Sequence, residues 1–248
     1  MIIVGLGTVL SVLGLVLVRH YVDVRRLTEN NKIAGHKFAT IGVFYAVLLA
    51  FSVILVWRKF ADAEADVVRE AGAAGNIYRL SQGVTDKAGA ALRGALSNYL
   101  KAAINDDWPA MDRGTTGAEG AAKQALDAVY STLVSTNGQG DSVVVSEMLR
   151  QVDLVALSRR ARLIASEGAV PSLLWLVLIG GAAITIGFTY FFGAGNLQAQ
   201  MLMTALLAIM IFSELLVVAG IDRPFSGTVK VGPNALATVL ADYRLSPQ

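Results

Sequence analysis

The sequence predicts an all-α membrane protein: four transmembrane helices with a helical extramembrane region between helices 2 and 3. Three observations carry that expectation. Hydrophobic residues fill 54% of the 248 positions and charged residues only 16%, against roughly 25% charged in a soluble domain. Four apolar runs, over residues 2–18, 38–57, 171–192 and 201–219, approach the length of about 20 residues that a bilayer crossing requires. The long polar stretch between the second and third runs shows helical periodicity and no sustained strand alternation. Backbone groups in lipid must be satisfied internally, so each apolar run is expected to be a helix. The expected organisation is a first transmembrane hairpin with a basic loop (1–57), a helical extramembrane region (58–168), a second transmembrane hairpin (169–222) and a C-terminal tail (223–248).

The first run lacks a basic leading segment, and Arg19 and His20 follow it where a cleavage site needs small residues, so it reads as a retained span. The connection over 19–37 carries Arg19, Arg25, Arg26, Lys32 and Lys37. The second run leads into "FADAEADVVREAGAAGNIYRL", an alanine- and glutamate-rich continuation of the same helix. Thr85 or Asp86 caps the next helix, whose Leu92, Leu96, Tyr99 and Ala103 form an amphipathic stripe. "NDDWPAMDRG" breaks that pattern. Thr116 with Glu119 fits a capping box before a helix with Leu126, Val129 and Leu133 on one side. Asp141 or Ser142 caps a last helix, with Met148, Val152, Val155 and Leu163 on one side, expected to run through Gly168 and Pro171 into the third span. "GAGNLQAQ" makes a tight uncharged hairpin between the third and fourth spans.

The fourth run stops abruptly at "AGIDRPFSG". Asp222 and Arg223 are too costly for the bilayer core and mark the water boundary. Pro224 ends the helix, because it lacks an N–H and restricts the residue before it. Glu214 lies eight residues before Asp222, roughly 12 Å inside that boundary at 1.5 Å per residue. Two readings stand for it: an ion or proton site or gate, or a neutral, hydrogen-bonded group, with Ser213 beside it, that fastens helices. Phe38, Phe44 and Phe51 recur at near-heptad spacing on the second span. They offer either a hydrophobic constriction or ordinary packing bulk. The small-residue pairs Gly7 and Ser11, Ala46 and Ala50, and Ala183 and Gly187 suit close helix approach.

Several functions are excluded by what is missing. A net charge of +2 gives no concentrated basic face for nucleic acid. With no cysteine, thiolate chemistry and cysteine metal sites are out. His20 and His36 make a poor metal pair, and Asp62, Glu64 and Asp66 read as an acidic helix face. No nucleophile elbow or phosphate loop appears, so neither an enzyme nor a cofactor is expected. The "RRAR" run, Arg159 to Arg162, reads as a contact for anionic lipid headgroups. Basic residues near span ends favour both termini and the middle region in the cytoplasm of a bacterial inner membrane.

The second span with its exit, "IGVFYAVLLAFSVILVWRKFADAEADVVREA", together with "DDWPAM", "SLLWLVLIGGAAITIGFTYFFG" and "MTALLAIMIFSELLVVAGIDRPFSGTVKVGPNAL", resembles the bestrophin-like domain family of bacterial four-span membrane proteins. The likeness covers nearly the whole chain in order. It implies kinship to bestrophins, pentameric anion channels with four spans and a helical cytosolic part. Bestrophin pores carry a proline-containing aromatic neck on the second span. Here that span has Phe44, Phe51 and Trp57 and no proline, and no acidic calcium clasp follows the last span. The resemblance implies an oligomeric ion channel, anion-selective by kinship. Phe44, Phe51 and Glu214 would line its path, and Asp222, Arg223, Pro224 and Phe225 would form its mouth or span end. A non-conducting membrane scaffold, or an accessory subunit of a larger complex, is the alternative. The expected partners are the lipid bilayer and further copies of the chain or a membrane complex.

Overall fold

The structure, a computed structural model, describes residues 1–23, 27–28, 31–116, 119–135 and 142–245. Its helices are α1 (Ile2–Tyr21), α2 (Asn31–Leu80), α3 (Asp86–Ala102), α4 (Trp108–Asp112), α5 (Ala121–Ser135), α6 (Ser142–Ala165), α7 (Ser172–Thr189), α8 (Leu197–Ile221) and α9 (Asn234–Leu245). Four of these are long and apolar enough to cross a membrane: α1, α2, α7 and α8. α2 runs unbroken for 50 residues, so the apolar run and the alanine-rich stretch after it are one helix. The chain divides into two compact units.

The membrane unit comprises 1–57 and 170–222. Its core is built from Tyr45, Leu49, Leu178, Ala182, Ile186, Ala208, Ile211 and Val218. Tyr45 carries a polar tip into this core and donates its hydroxyl to Leu178 O at 3.0 Å. The turn between α7 and α8 is held by side chains. Asn31 pairs with both the N–H and the carbonyl of Gly193 (2.9 and 2.8 Å). Arg19 donates to Ala194 O, and Gln200 donates to Phe192 O at 2.7 Å. Asn196 caps α8 by accepting from Gln198 N and Ala199 N. These contacts satisfy carbonyls that the end of α7 leaves without an intrahelical partner. Arg25 and Arg26 lie outside the described residues.

The second unit comprises 58–169 and 223–248. Every residue of the α3 stripe, Leu92, Leu96, Tyr99 and Ala103, is fully buried, as are Leu133, Met148, Val152 and Val155. Residues 223–243 do not trail free. Phe225, Val231, Leu236 and Leu240 enter this core, Tyr243 stacks on Tyr78 at 4.0 Å, and its hydroxyl donates to Ala74 O at 2.6 Å.

Three local expectations are corrected. "NDDWPAM" does not interrupt the helix: α3 widens into a π-helical turn over Ala103–Asp107 and continues as α4. Pro109 follows directly on the π-helical turn, in the first turn of α4. The Thr116 and Glu119 capping box does not form the start of α5, which begins at Ala121 with Gly120 O accepting from Lys123 N. Glu119 pairs instead with Lys123 at 3.0 Å. α6 does not flow into the third span. It ends at Ala165, Gly168 takes φ +102°, and Pro171 precedes the first turn of α7. The alternative cap Asp141 lies outside the described residues, and α6 begins at Ser142.

Two glycines on α3 separate packing from propensity. A Cβ on Gly89 would sit 2.5 Å from the Ser81 carbonyl oxygen, whereas one on Gly94 meets nothing within 4 Å. Gly89→Ala is expected to cost about 1–3 kcal/mol through overpacking, while Gly94→Ala gains about 0.5–1 kcal/mol of helix propensity. Thermal unfolding of the purified protein should give Tm shifts of opposite sign, and equal shifts would contradict this packing.

Candidate functional site

Two features of the fold bear on function: the exposed face of α2 and a buried charge cluster in the second unit. On α2, residues at alternating spacings of three and four share one face. In the membrane unit these are Thr40, Phe44, Val47, Phe51 and Ile54, all exposed in the single chain, with Phe44 at 73% and Phe51 at 67%. In the second unit the register continues as Arg58, Ala61, Ala65, Val68 and Gly72, again all exposed. Phe38 leaves the face. It stands six residues before Phe44, which turns it about 120° away around the helix, and it packs against Phe188 and Phe192.

Glu214 is exposed on α8 of the membrane unit, among the exposed side chains Leu206, Met210 and Val217. Asp222 accepts a hydrogen bond from Val170 N at 2.7 Å, so the acid that closes the fourth span also holds the residue leading into α7. Arg223 is exposed. Pro224 O accepts from Val231 N at 2.7 Å, and Phe225, 1% exposed, meets the ring of Trp108 edge-on. The proline and phenylalanine of "DRPF" are therefore anchored inside the second unit.

The charge cluster was not legible as such in the sequence. Arg162 is fully buried and binds two acids: its Nε donates to Glu70 at 2.8 Å, and its Nη2 to Glu70 at 3.1 Å and Asp107 at 3.0 Å. Arg159 grips Asp107 through Nε at 2.9 Å and Nη2 at 3.1 Å. The Tyr99 hydroxyl donates to Glu70 at 2.6 Å, and the Arg162 guanidinium lies 4.3 Å over the Trp108 ring. Trp108 Nε1 in turn donates to Val231 O at 3.2 Å. The reading of "RRAR" as a lipid contact is thus overturned for Arg159 and Arg162, which face inward because they continue the buried register of Val152 and Val155. Glu70 likewise continues the buried register of Ala63 and Val67. Asp107 is delivered by the π-helical turn, a local widening often found at functional positions.

The cluster is charge-balanced, two guanidinium groups against two carboxylates. Burial disfavours the Arg162 charge, but the Glu70 carboxylate, with smaller help from its other neighbours, outweighs it and pushes its pKa up. Burial, reinforced by the Glu70 carboxylate, pushes the Tyr99 hydroxyl well above its ordinary value of 10.0, keeping it a donor. Among the described residues no group of three metal-ligating side chains comes together.

The profile of the Bestrophin-like domain matches residues 5–236. Among solved structures, a bacterial bestrophin homologue from Klebsiella pneumoniae aligns at 12% identity and TM-score 0.75, over 96% of each chain. Two variants of a K. pneumoniae bestrophin homologue align at 14% identity, with TM-scores of 0.77 and 0.75 and at least 98% of each chain covered. At such identities the likeness is one of fold. A comparison with curated proteins gave no match.

Removing Arg162 leaves the buried Glu70 carboxylate without its cation and Asp107 with Arg159 alone, so Arg162→Met should destabilise by about 3–5 kcal/mol. The exposed Arg160→Ala should stay within about 0.5 kcal/mol; chemical denaturation compares the two. The raised Tyr99 pKa sets a pH window. Below the ordinary tyrosine value of 10.0 both folded and unfolded states keep the proton, and its contribution is complete. Above that value the unfolded chain releases the proton and the folded chain does not, so stability falls as pH rises. Tyr99→Phe should flatten that alkaline decline, and an unchanged slope would contradict the assignment.

Proposed function

The chain belongs to the Bestrophin-like family, and on that footing we propose that it forms an ion-conducting homo-oligomer in the bacterial inner membrane, with α2 lining the path. The exposed face of α2 carries this reading. In the second unit, outside the apolar runs, no acyl chain is available to cover Ala61, Val68 and Gly72, nor the exposed Leu157 on α6. Small side chains there let a second copy approach closely. In the membrane unit Phe44 and Phe51 stand on the same register and would narrow a ring of α2 helices into a constriction that gates by dewetting. No charged side chain occurs on α2 between residues 38 and 57, so this constriction is apolar.

Glu214 supplies the polar element. An ionisable group facing lipid at that depth costs at least ~2.5 kcal/mol, and a subunit contact or a water-filled route removes the cost. Bestrophin kinship favours anions, while a carboxylate on the path disfavours them, so Glu214 bears on which ion is preferred. Arg223, exposed just past α8, is suited to the mouth of the path. The middle region faces the cytoplasm in this reading. A scaffold that docks a partner on α2 uses the same exposed face, and flux separates the two.

Purified protein in liposomes, with chloride and potassium gradients run separately, should pass ions above the level of empty vesicles. Phe51→Ala should raise that flux by widening the constriction, and Glu214→Gln should change the chloride-to-potassium ratio. Folded protein inserted in both orientations with no flux for either ion would overturn conduction and leave the scaffold reading.

A further inference from the structure

Beside the α2 face, within the second unit, lies a groove of about 590 Å³. One wall is α2, which presents Lys59, Asp62, Asp66 and Arg69 at spacings of three and four, hence on one side of the helix. The other wall is the end of α6 and the turn after it, where Ala161, Ala165 and Gly168 leave the space open. Asp66 and Arg69 pair with each other at 2.5 Å. Lys59 and Asp62 make no hydrogen bond or ion pair among the described residues. The groove thus offers one cation and one anion, a helical turn apart, to a ligand carrying both charges.

Its position says where such a ligand comes from. Lys59 lies two residues past Trp57, where the membrane unit ends, and Ala169, also in the lining, stands one residue before Val170, where it resumes. Both walls therefore begin within a turn of an apolar run, at the depth of lipid headgroups. We propose that this groove holds the headgroup of a phosphatidylethanolamine, its phosphate on Lys59 and its ammonium on Asp62. Charge complementarity selects this class. An anionic glycerol headgroup gains Lys59 but brings no cation to Asp62, the groove acid that has no pair. A choline headgroup has no N–H to give Asp62, and the groove has no aromatic wall for a quaternary ammonium. A primary ammonium donates charge-assisted hydrogen bonds to the carboxylate and is favoured by the negative end of the α6 dipole. The proposal stands whether or not the protein conducts.

The test uses the full chain in nanodiscs of equal phosphatidylethanolamine, phosphatidylcholine and phosphatidylglycerol with matched acyl chains. Retained lipid is counted by native mass spectrometry after brief detergent exchange. Phosphatidylethanolamine should be enriched about fivefold over the other two, equivalent to about 1 kcal/mol. Asp62→Asn should abolish discrimination between ethanolamine and choline lipids while leaving phospholipid bound. Lys59→Gln should lower retention of all three. Both positions are exposed, so unfolding temperatures should match the parent. Equal retention of the three lipids, a preference for phosphatidylglycerol, or unchanged enrichment in Asp62→Asn would each overturn the proposal.

Discussion

Arg162 is the group on which the second unit turns. It is a full charge with no access to water, and it is tolerable only because Glu70 from α2 and Asp107 from the π-helical turn reach it together. Desolvating an arginine and two acids costs several kcal/mol per ion, which only good geometry and further hydrogen bonds offset. Those are supplied by Arg159 on Asp107 and Tyr99 on Glu70. Such a cluster adds little net stability over an apolar core. Its effect is on uniqueness: α2, α3, the π-helical turn and α6 have one register in which all four charges are met, and a slip of one residue strands at least one of them.

That constraint reaches the face of α2. Glu70 points inward on the register of Ala63 and Val67, which fixes the rotation of the helix in the second unit. With the rotation fixed, Ala61, Ala65, Val68 and Gly72 turn outward, and Lys59, Asp62, Asp66 and Arg69 line the groove against α6. Buried electrostatics and outward recognition are thus two sides of one helix. A polar cluster serves this purpose better than more alanine, because small apolar side chains tolerate rotation and a bidentate guanidinium does not.

The four spans and the amphipathic stripes were legible because they rest on length and periodicity, which tertiary context rarely reverses. Leu92, Leu96 and Tyr99 lie inside as their spacing dictates. The charge cluster was hidden because residue type and register disagreed. Arg159 and Arg162 are exposed residues by chemistry and buried ones by position, and position won through acids 52 to 92 residues away in sequence. Nothing local to "RRAR" announces Glu70 or Asp107. The π-helical turn was illegible for a related reason: one extra residue per turn is chosen by where Asp107 must arrive, and "NDDWP" resembles a break. Phe225 shows the same limit, since a stop signal for one helix gives no notice that its last residue is a core residue elsewhere.

The second unit is discontinuous in the chain, and that bears on how it is made. Its main part, 58–169, is synthesised before α7 and α8, but Phe225, Val231, Leu236 and Leu240 come after them. The carbonyl that accepts the Trp108 indole N–H belongs to Val231, a sequence separation of 123 residues. During synthesis the nascent unit must therefore wait, with part of its apolar core uncovered, until the last two spans and the segment after them have been made. Closure by the final segment then makes synthesis of both later spans a precondition for a finished core in the second unit. A chain cut short before Phe225 would leave that core unsealed, an exposed apolar surface of the kind that drives aggregation.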